Sequence, residues 1–437
     1  MSNSKIFFEW TGIGRISKIG FVIFILSIWV NFQNTSAFAE EGQPLNLLSC
    51  YQLALKQSED IAINQEKIKE AEGIFMQSLS TILPKVSYEY SVKWQDVRPT
   101  SSTSDEITEG KFVFSQPLFS GFKEFAAIAS SRHEKKQREL ELNYAKLLLF
   151  RDVSDAFYFY LEYQQDMEVL EDIHKILTER LEELKKRESL GRSRTSELVS
   201  VEAKLLRQEA EMENISSQKD VAGQLLEFLT GTANVTLLDD APIESEFSDI
   251  NVYLEQSSQR YDVLAQKEAW QLAKKAITIA RSGYFPSLSL DGNRYTHREG
   301  SSKDNDWDTT LSVDVPIFQG GQTRGDVYRA HAVSNQEDLR YVQLKRKAMQ
   351  EVKNAYTLLL SNLRRQNALA KAMEADQRNY DLQQQDFQVN LVNNLEVLQA
   401  LEDLQDSRRD YRTIQNEVKQ LYWRFKTAVG EIPDVAI

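Results

Sequence analysis

Gln116-Pro117-Leu118-Phe119-Ser120-Gly121 recurs 199 residues later as Val315-Pro316-Ile317-Phe318-Gln319-Gly320. The same shift carries Val153, Ala156 and Leu161 onto Val352, Ala355 and Leu360. It also carries Glu197 onto Glu396, Leu205 onto Leu404 and Gly231 onto Gly430. Upstream the shift is 202, pairing Asp60-Ile61 with Asp262-Val263, Ala71 with Ala273, and Leu83-Pro84 with Phe285-Pro286. A chain written twice at such a period is expected to build one supersecondary unit twice. The change of offset falls between Pro84 and Pro117. Each copy carries a polar, turn-rich segment there, Pro99 to Thr108 and Arg298 to Asn305, and loop tips absorb length changes.

Glycine and proline number only 17 and 8, and neither occurs from Phe122 to Leu190 or from Asp326 to Val429. Runs that long without breakers predict very long helices. At 1.5 Å per residue the first would reach about 100 Å. Met167, Leu170, His174, Leu177, Leu181 and Leu184 step by three and four, which is a heptad seam. Leu198, Val201, Leu205, Gln208, Met212 and Ile215 continue it, and Val397, Leu401, Leu404, Tyr411, Val418 and Phe425 repeat it. Gly191-Arg192-Ser193 and Val392-Asn393-Asn394 interrupt the seams at equivalent points. Seam, polar break and returning seam predict antiparallel coiled-coil hairpins.

Each repeat places two strands ahead of its long helices, over 84–119 and 286–318. Val86, Tyr88, Tyr90, Val92 and Trp94 alternate with Ser87, Glu89, Ser91 and Lys93 in strict period two. Trp307, Thr309, Leu311, Val313 and Val315 alternate the same way against Asp308, Thr310, Ser312 and Asp314. The third strand is less regular, with Leu288 and Leu290 followed by Gly292 and Arg294. Such strands could form an ordinary half-buried sheet. An aromatic-rich apolar face opposite a polar one, over about 10 residues, also suits a transmembrane barrel strand. In lipid an open sheet edge leaves backbone groups unsatisfied, so four strands would need other chains to close. The expected lipid-facing residues are Val86, Tyr88, Tyr90, Val92 and Trp94, with Glu89 and Lys93 facing a lumen.

The chain begins as an export signal would. Lys5, Arg15 and Lys18 precede and flank the apolar run Ile19 to Val30, and Ala37-Phe38-Ala39 has the small-x-small cleavage pattern. The run is too short to span a bilayer as a helix. The mature protein is expected to start at Glu40, and the fragment Gly12-Ile13-Gly14 goes with the leader. The remaining chain has 49 basic against 64 acidic residues, a balance that argues against nucleic-acid binding. One cysteine excludes an internal disulfide framework. Leu47-Leu48-Ser49-Cys50 has the form of a lipoprotein box but stands well beyond the apolar run, and Cys50 reads instead as a half-buried helix residue. His133, His174, His297 and His331 show no metal-ligand spacing, and no nucleophile elbow or phosphate loop is present. No enzyme activity and no cofactor are therefore expected. A periplasmic coiled-coil scaffold is the alternative left open by the helices.

The strand-opening stretches Leu83-Pro84-Lys85-Val86-Ser87 and Phe285-Pro286-Ser287-Leu288-Ser289 resemble those of TolC-family outer-membrane efflux proteins. The two strand-closing stretches, around Pro117 and Gly121 and around Pro316 and Gly320, are similar to the same family's. This resemblance covers nearly the whole mature chain and implies a homotrimer with a shared 12-stranded β-barrel and a periplasmic helical tunnel. It implies an outer-membrane duct of a tripartite efflux or type I secretion system, docked to a periplasmic adaptor and an inner-membrane transporter. The expected organisation is a signal peptide 1–39, a first repeat 40–231 and a second repeat 232–437. Leu395-Glu396-Val397-Leu398-Gln399-Ala400 is similar to the family's aperture stretch, where acidic residues ring the inner entrance. Glu396 takes the place of one characteristic aspartate, with Glu197 as its first-repeat partner, and Gln399 replaces the second. Val392 stands where an arginine is common, and Phe387 where a lock tyrosine is expected, so the family's polar lock is largely missing. The transported substrate is not legible.

Overall fold

The computed structural model describes residues 45–96, 106–233, 237, 243, 247–299 and 304–433. The expected leader 1–39 and most of the segment Pro99–Thr108 lie outside these residues. The elements come in two matching series. The first is α1 (Leu47–Gln57), α2 (Glu59–Ser80), β1 (Lys85–Trp94), β2 (Glu106–Ser120), α3 (Lys123–Ser189) and α4 (Thr195–Thr230). The second is α5 (Ile250–Ser257), α6 (Tyr261–Arg281), β3 (Ser287–Arg298), β4 (Trp307–Asp314), α7 (Gln322–Gln388) and α8 (Asn394–Val429). Helices α3 and α7 each run 67 residues, which is about 100 Å. Among the described residues no helix is long and apolar enough to cross a membrane.

The four strands form one antiparallel sheet in the order β1-β2-β3-β4, which leaves β1 and β4 as its edges. Val86, Tyr88 and Tyr90 lie opposite Phe114, Phe112 and Gly110. One face of the sheet therefore gathers the apolar side chains, and the Tyr88 ring sits 5.0 Å from that of Phe112. In the third strand Gly292 and Arg294 stand on the apolar face opposite Phe114 and Phe112, within an unbroken stretch of register that two bulges flank. Lys111 pairs with Tyr295 while Gly110 pairs with His297, so Thr296 is an extra residue. Leu118 is likewise extra, between Pro117 opposite Ser289 and Phe119 opposite Leu288. Each bulge advances the strand phase by one residue, which period-two reading of a single strand does not register. Val315, expected as the last position on the apolar face of the fourth strand, falls just beyond β4.

The helices stand side by side. Nearest the sheet, α3 packs between α2 and α6, and α7 packs on the far side of α6. Toward the other end, α3 packs between α4 and α8, with α7 beyond α8. Midway along, α1 covers α3 with Leu47, Tyr51 and Ala54 against Phe150, Phe157 and Tyr158. Burial of each large side chain there contributes about 1.5–3 kcal/mol. Cys50 lies in this cluster, fully buried rather than half-buried, and burial pushes its thiol up to about 12. The seam of α3 also departs from the heptad reading. Ile173 takes the core position, while His174 is half-exposed with its Nε2 3.5 Å from Glu209 of α4.

Candidate functional site

The two hairpin turns share one mechanism and differ in chemistry. Gly191 and Asn390 hold equivalent places at the ends of α3 and α7, both left-handed, with φ of 69° and 60°. Arg192 N donates back to Arg187 O at 2.8 Å, and Leu391 N to Asp386 O at 2.9 Å, the bond of a Schellman stop. The break in the second hairpin is thus centred on Asn390, upstream of the expected Val392-Asn393-Asn394. Asn393 instead caps α8, accepting from Leu395 N at 2.9 Å and Glu396 N at 3.2 Å. Glu396 completes a capping box, its Oε2 accepting from Asn393 N at 2.8 Å. In the first hairpin Arg194 gives α4 no side-chain cap, and Glu197 accepts from Ser193 Oγ at 2.6 Å. Both carboxylates therefore hold their own turns. Gln399, exposed one turn further on, donates to Asp403 at 3.0 Å along the helix.

Phe387 is buried, and it is the centre of a contact that sequence reasoning missed. The guanidinium carbon of Arg180, on α3, lies 3.8 Å from the centroid of its ring, and that of Arg187 lies 4.5 Å away. One carboxylate, Glu183, serves both arginines, accepting from Arg180 Nη1 at 3.0 Å and pairing with Arg187 Nη2 at 2.8 Å. Arg180 Nε donates to Oδ1 of buried Asn394, the first residue of α8, at 3.0 Å. So one side chain of the first hairpin holds both arms of the second. Burial lowers the Arg180 pKa, opposed by Glu183, and its Nη2 is buried without a hydrogen-bond partner. The signal was available in sequence: Arg180 follows Leu177 by three, which puts a cation on the apolar seam.

Further along α8, several polar ties reach the first hairpin, Gln405 to Gln208 at 3.1 Å among them, and four are evenly spaced. Lys204 meets Glu402 at 2.8 Å, and Arg409 grips Asp166 at 2.7 and 2.8 Å and Glu211 at 3.0 Å. Asn416 donates to Gln165 at 2.9 Å, and Arg424 to Asp155 at 2.9 Å. With Asn394 these rungs fall every seven or eight residues, about two helical turns.

The strand-boundary residues, Pro117 excepted, sit at strand ends or at the turns into the long helices. Pro84 and Pro286 directly precede β1 and β3, Pro117 lies within β2 beside its bulge, and Pro316 follows β4. Gly121 and Gly320 are both left-handed, with φ of 63° and 60°, at the turns into α3 and α7. On the apolar sheet face Val86, Tyr88, Tyr90 and Trp94 are exposed and Val92 is half-buried. The opposite face carries Lys111, 3.7 Å from Glu89 and 3.2 Å from Glu109, whose other oxygen meets Arg298 at 3.0 Å. There Asp308 accepts from Tyr295 at 2.6 Å and Asn293 at 2.8 Å, tying β3 to β4. Among the described residues no group of His, Cys, Asp and Glu is arranged to hold a metal.

Outward apolar strands joined to long helical hairpins define a class of membrane channel, and the comparisons place the chain within it. The sequence profile of the outer membrane efflux protein family matches residues 50–232 and 253–431, so the chain belongs to that family. Outer membrane protein TolC of Vibrio cholerae serotype O1 is 23% identical over 391 residues, covering 82% of this chain and 84% of the relative. Cation efflux system protein CusC of Escherichia coli O157:H7 is 21% identical over 400 residues, covering 87% and 84%. Among solved structures, the outer membrane protein VceC of Vibrio cholerae superposes with a TM-score of 0.77 at 18% identity, covering 88% of this chain and 96% of that one. The protein is an efflux channel of the outer membrane with its helical part in the periplasm, in a family of channels rather than enzymes.

Proposed function

We propose that three copies of this chain close one 12-stranded barrel and one helical tunnel. The assembly passively conducts substrates from an inner-membrane transporter, met through a periplasmic adaptor, to the exterior. In this reading an export signal 1–39 precedes two repeats, 40–231 and 232–437. The carrying observation is a sheet with free edges at β1 and β4 and an exposed apolar face. In lipid those edges must be paired, and a scaffold in water has no use for that face. Fractionation should find the protein in outer membranes, and mass measurement in mild detergent should give three copies. Release without detergent, or a stable detergent-solubilised monomer, overturns the reading.

The hairpin tips form the inner entrance of this duct. Arg180, with Arg187, holds the second hairpin against the first through Phe387 and Asn394, in place of the polar lock that Val392 and Phe387 do not supply. Three copies of Glu396 near the axis raise the local cation concentration. Its Oε2 is engaged in the capping box, and Gln at this position keeps an oxygen for that cap while removing the charge. Glu396→Gln is accordingly expected to lower cation selectivity and weaken block by multivalent cations in single-channel recordings, without loss of the folded trimer. Glu197→Gln should do so less, and Gln399 already carries no charge. Unchanged selectivity and block in Glu396→Gln would place the constriction elsewhere.

A further inference from the structure

We propose that each chain carries a resting site for a small amphipathic organic cation on the lumen wall, midway along α3. The apolar body of the ligand lies in a groove between α3 and α4, and its charge lies toward a carboxylate-lined cavity that adjoins the groove. The inference rests on the duct reading above and deepens it, naming a place in the duct and a ligand chemistry for it. The helical wall has one covered face and one open face. Helix α1 covers Phe150 and Phe157 of α3, with the Tyr51 ring 5.1 Å from that of Phe150. Helix α5 covers Tyr356 of α7, the counterpart of Phe157, with the Tyr253 ring 6.1 Å away. Both short helices therefore lie on the same face, and in a conducting tunnel that face is the outside, because extra helices inside would obstruct the passage. Phe159 stands nine residues beyond Phe150, about two and a half helical turns, so it points to the opposite, lumenal face.

On that face Phe159 and Tyr163 of α3 meet Val221, Ala222 and Leu225 of α4 around a groove of about 360 Å³. Phe159 is 39% exposed and Leu225 47%. Apolar side chains gathered on a wetted wall mark a binding surface. The volume suits a small molecule rather than a helix or a chain segment. The groove is a property of the first repeat. The 199-residue shift turns Tyr163 into Asn362, Val221 into Gln420 and Leu225 into Arg424. The corresponding wall of the second repeat is thus polar, and the Arg424 guanidinium is held there by Asp155 at 2.9 Å.

Charge selects the ligand. Tyr163 and Gln218 line the groove and also a second cavity of about 520 Å³, further toward the hairpin tips. Five carboxylates line that cavity, from Glu162, Asp166, Glu211, Asp406 and Asp410, against one lining cation, Arg409. Arg409 is already gripped by Asp166 and Glu211, so Glu162, Asp406 and Asp410 hold net negative charge at the edge of the groove. Burial raises the carboxyl pKa of Glu162 and of Asp406, and the neighbouring acids Asp166 and Glu402 respectively add to it. An arriving cation relieves that crowding. An aromatic body against Phe159 with a positive end toward these acids satisfies both cavities, whereas a neutral or anionic solute satisfies at most one.

The test is single-channel recording on the full-length protein in a planar bilayer, with rhodamine 6G added from the barrel side and fluorescein as its anionic counterpart. Rhodamine 6G should interrupt the current in discrete blockades, and fluorescein should not. Phe159→Ala combined with Leu225→Ala should shorten the blockades about tenfold or more. Both side chains are partly exposed, and native conductance in the variant shows that the wall is intact. Leu225→Gln, a milder change, should act in the same direction. Leu358→Ala, at the counterpart of Phe159 in the second repeat, should leave the blockades unchanged, and Asp406→Asn should shorten them severalfold. Blockades equally long in the groove variants and in Leu358→Ala, or absent from a channel that conducts, overturn the site and leave the duct reading standing. Fluorescein blockades as long as those of rhodamine 6G, or no change in Asp406→Asn, overturn the assignment of a cation. A protein that forms no conducting channel overturns the duct reading, and the site falls with it.

Discussion

Arg180→Ala is expected to open the inner entrance, raising single-channel conductance and admitting bulky solutes that the native channel excludes. A desolvated cation on an aromatic ring is worth about 2 kcal/mol. A hydrogen bond involving a charged group adds about 1.5–3 kcal/mol. Against these stands the cost of burying the guanidinium, which shows in its lowered pKa and unpartnered Nη2. A net of about 1.5–3 kcal/mol per chain shifts the balance of held and released hairpins about 10- to 150-fold. Arg180→Lys should be intermediate, because an ammonium keeps charge but loses the planar stack and the Nε–Asn394 bond. Conductance and solute exclusion both unchanged in Arg180→Ala would show that this cluster only fills space.

The largest stability effect is expected on the sheet. Arginine at Tyr88, in the middle of the apolar face, should cost about 2–4 kcal/mol in a bilayer. Arginine at Ser91, on the opposite face, should cost little because it meets water. Refolding yield into lipid vesicles across a denaturant series measures the difference. Equal losses at the two positions would mean that the faces do not divide lipid from water. The same pair separates a barrel strand from a half-buried soluble one, in which the Tyr88 face would pack on a core.

Much of this fold was legible because it follows from periodicities that the backbone imposes. Strict alternation from Val86 to Trp94 marked β1, and the absence of breakers from Phe122 to Leu190 marked α3. What stayed hidden involved partners distant in sequence. The bulges at Thr296 and Leu118 are defined only by the neighbouring strand, so no single strand discloses them. The turn at Asn390 was missed because asparagine, unlike Gly191, does not announce a left-handed stop as strongly as glycine does. Glu396 was read only as an exposed acid, although Asn393 with Glu396 three residues on is a capping-box pattern that marks a helix start. Phe387 was picked out only through resemblance. Its arginines stand about 200 residues earlier, and their approach is a product of the packed hairpins.

The rungs along α8 make the second hairpin a lever with unequal fastenings. From Arg424 to Asn394 the helix runs 30 residues, about 45 Å, so a tilt of about 5° about the far rung moves the tip by about 4 Å. The same tilt shifts the Asn416 rung by only about 1 Å, within the give of a hydrogen bond. Force applied at the tip therefore falls first on Arg180 and Phe387, and rungs nearer the fulcrum yield only after those beyond them. Where the tips line the entrance, as proposed, its width grows with the number of fasteners parted, with the first step the cheapest in travel and the last close to unfolding the hairpin's root.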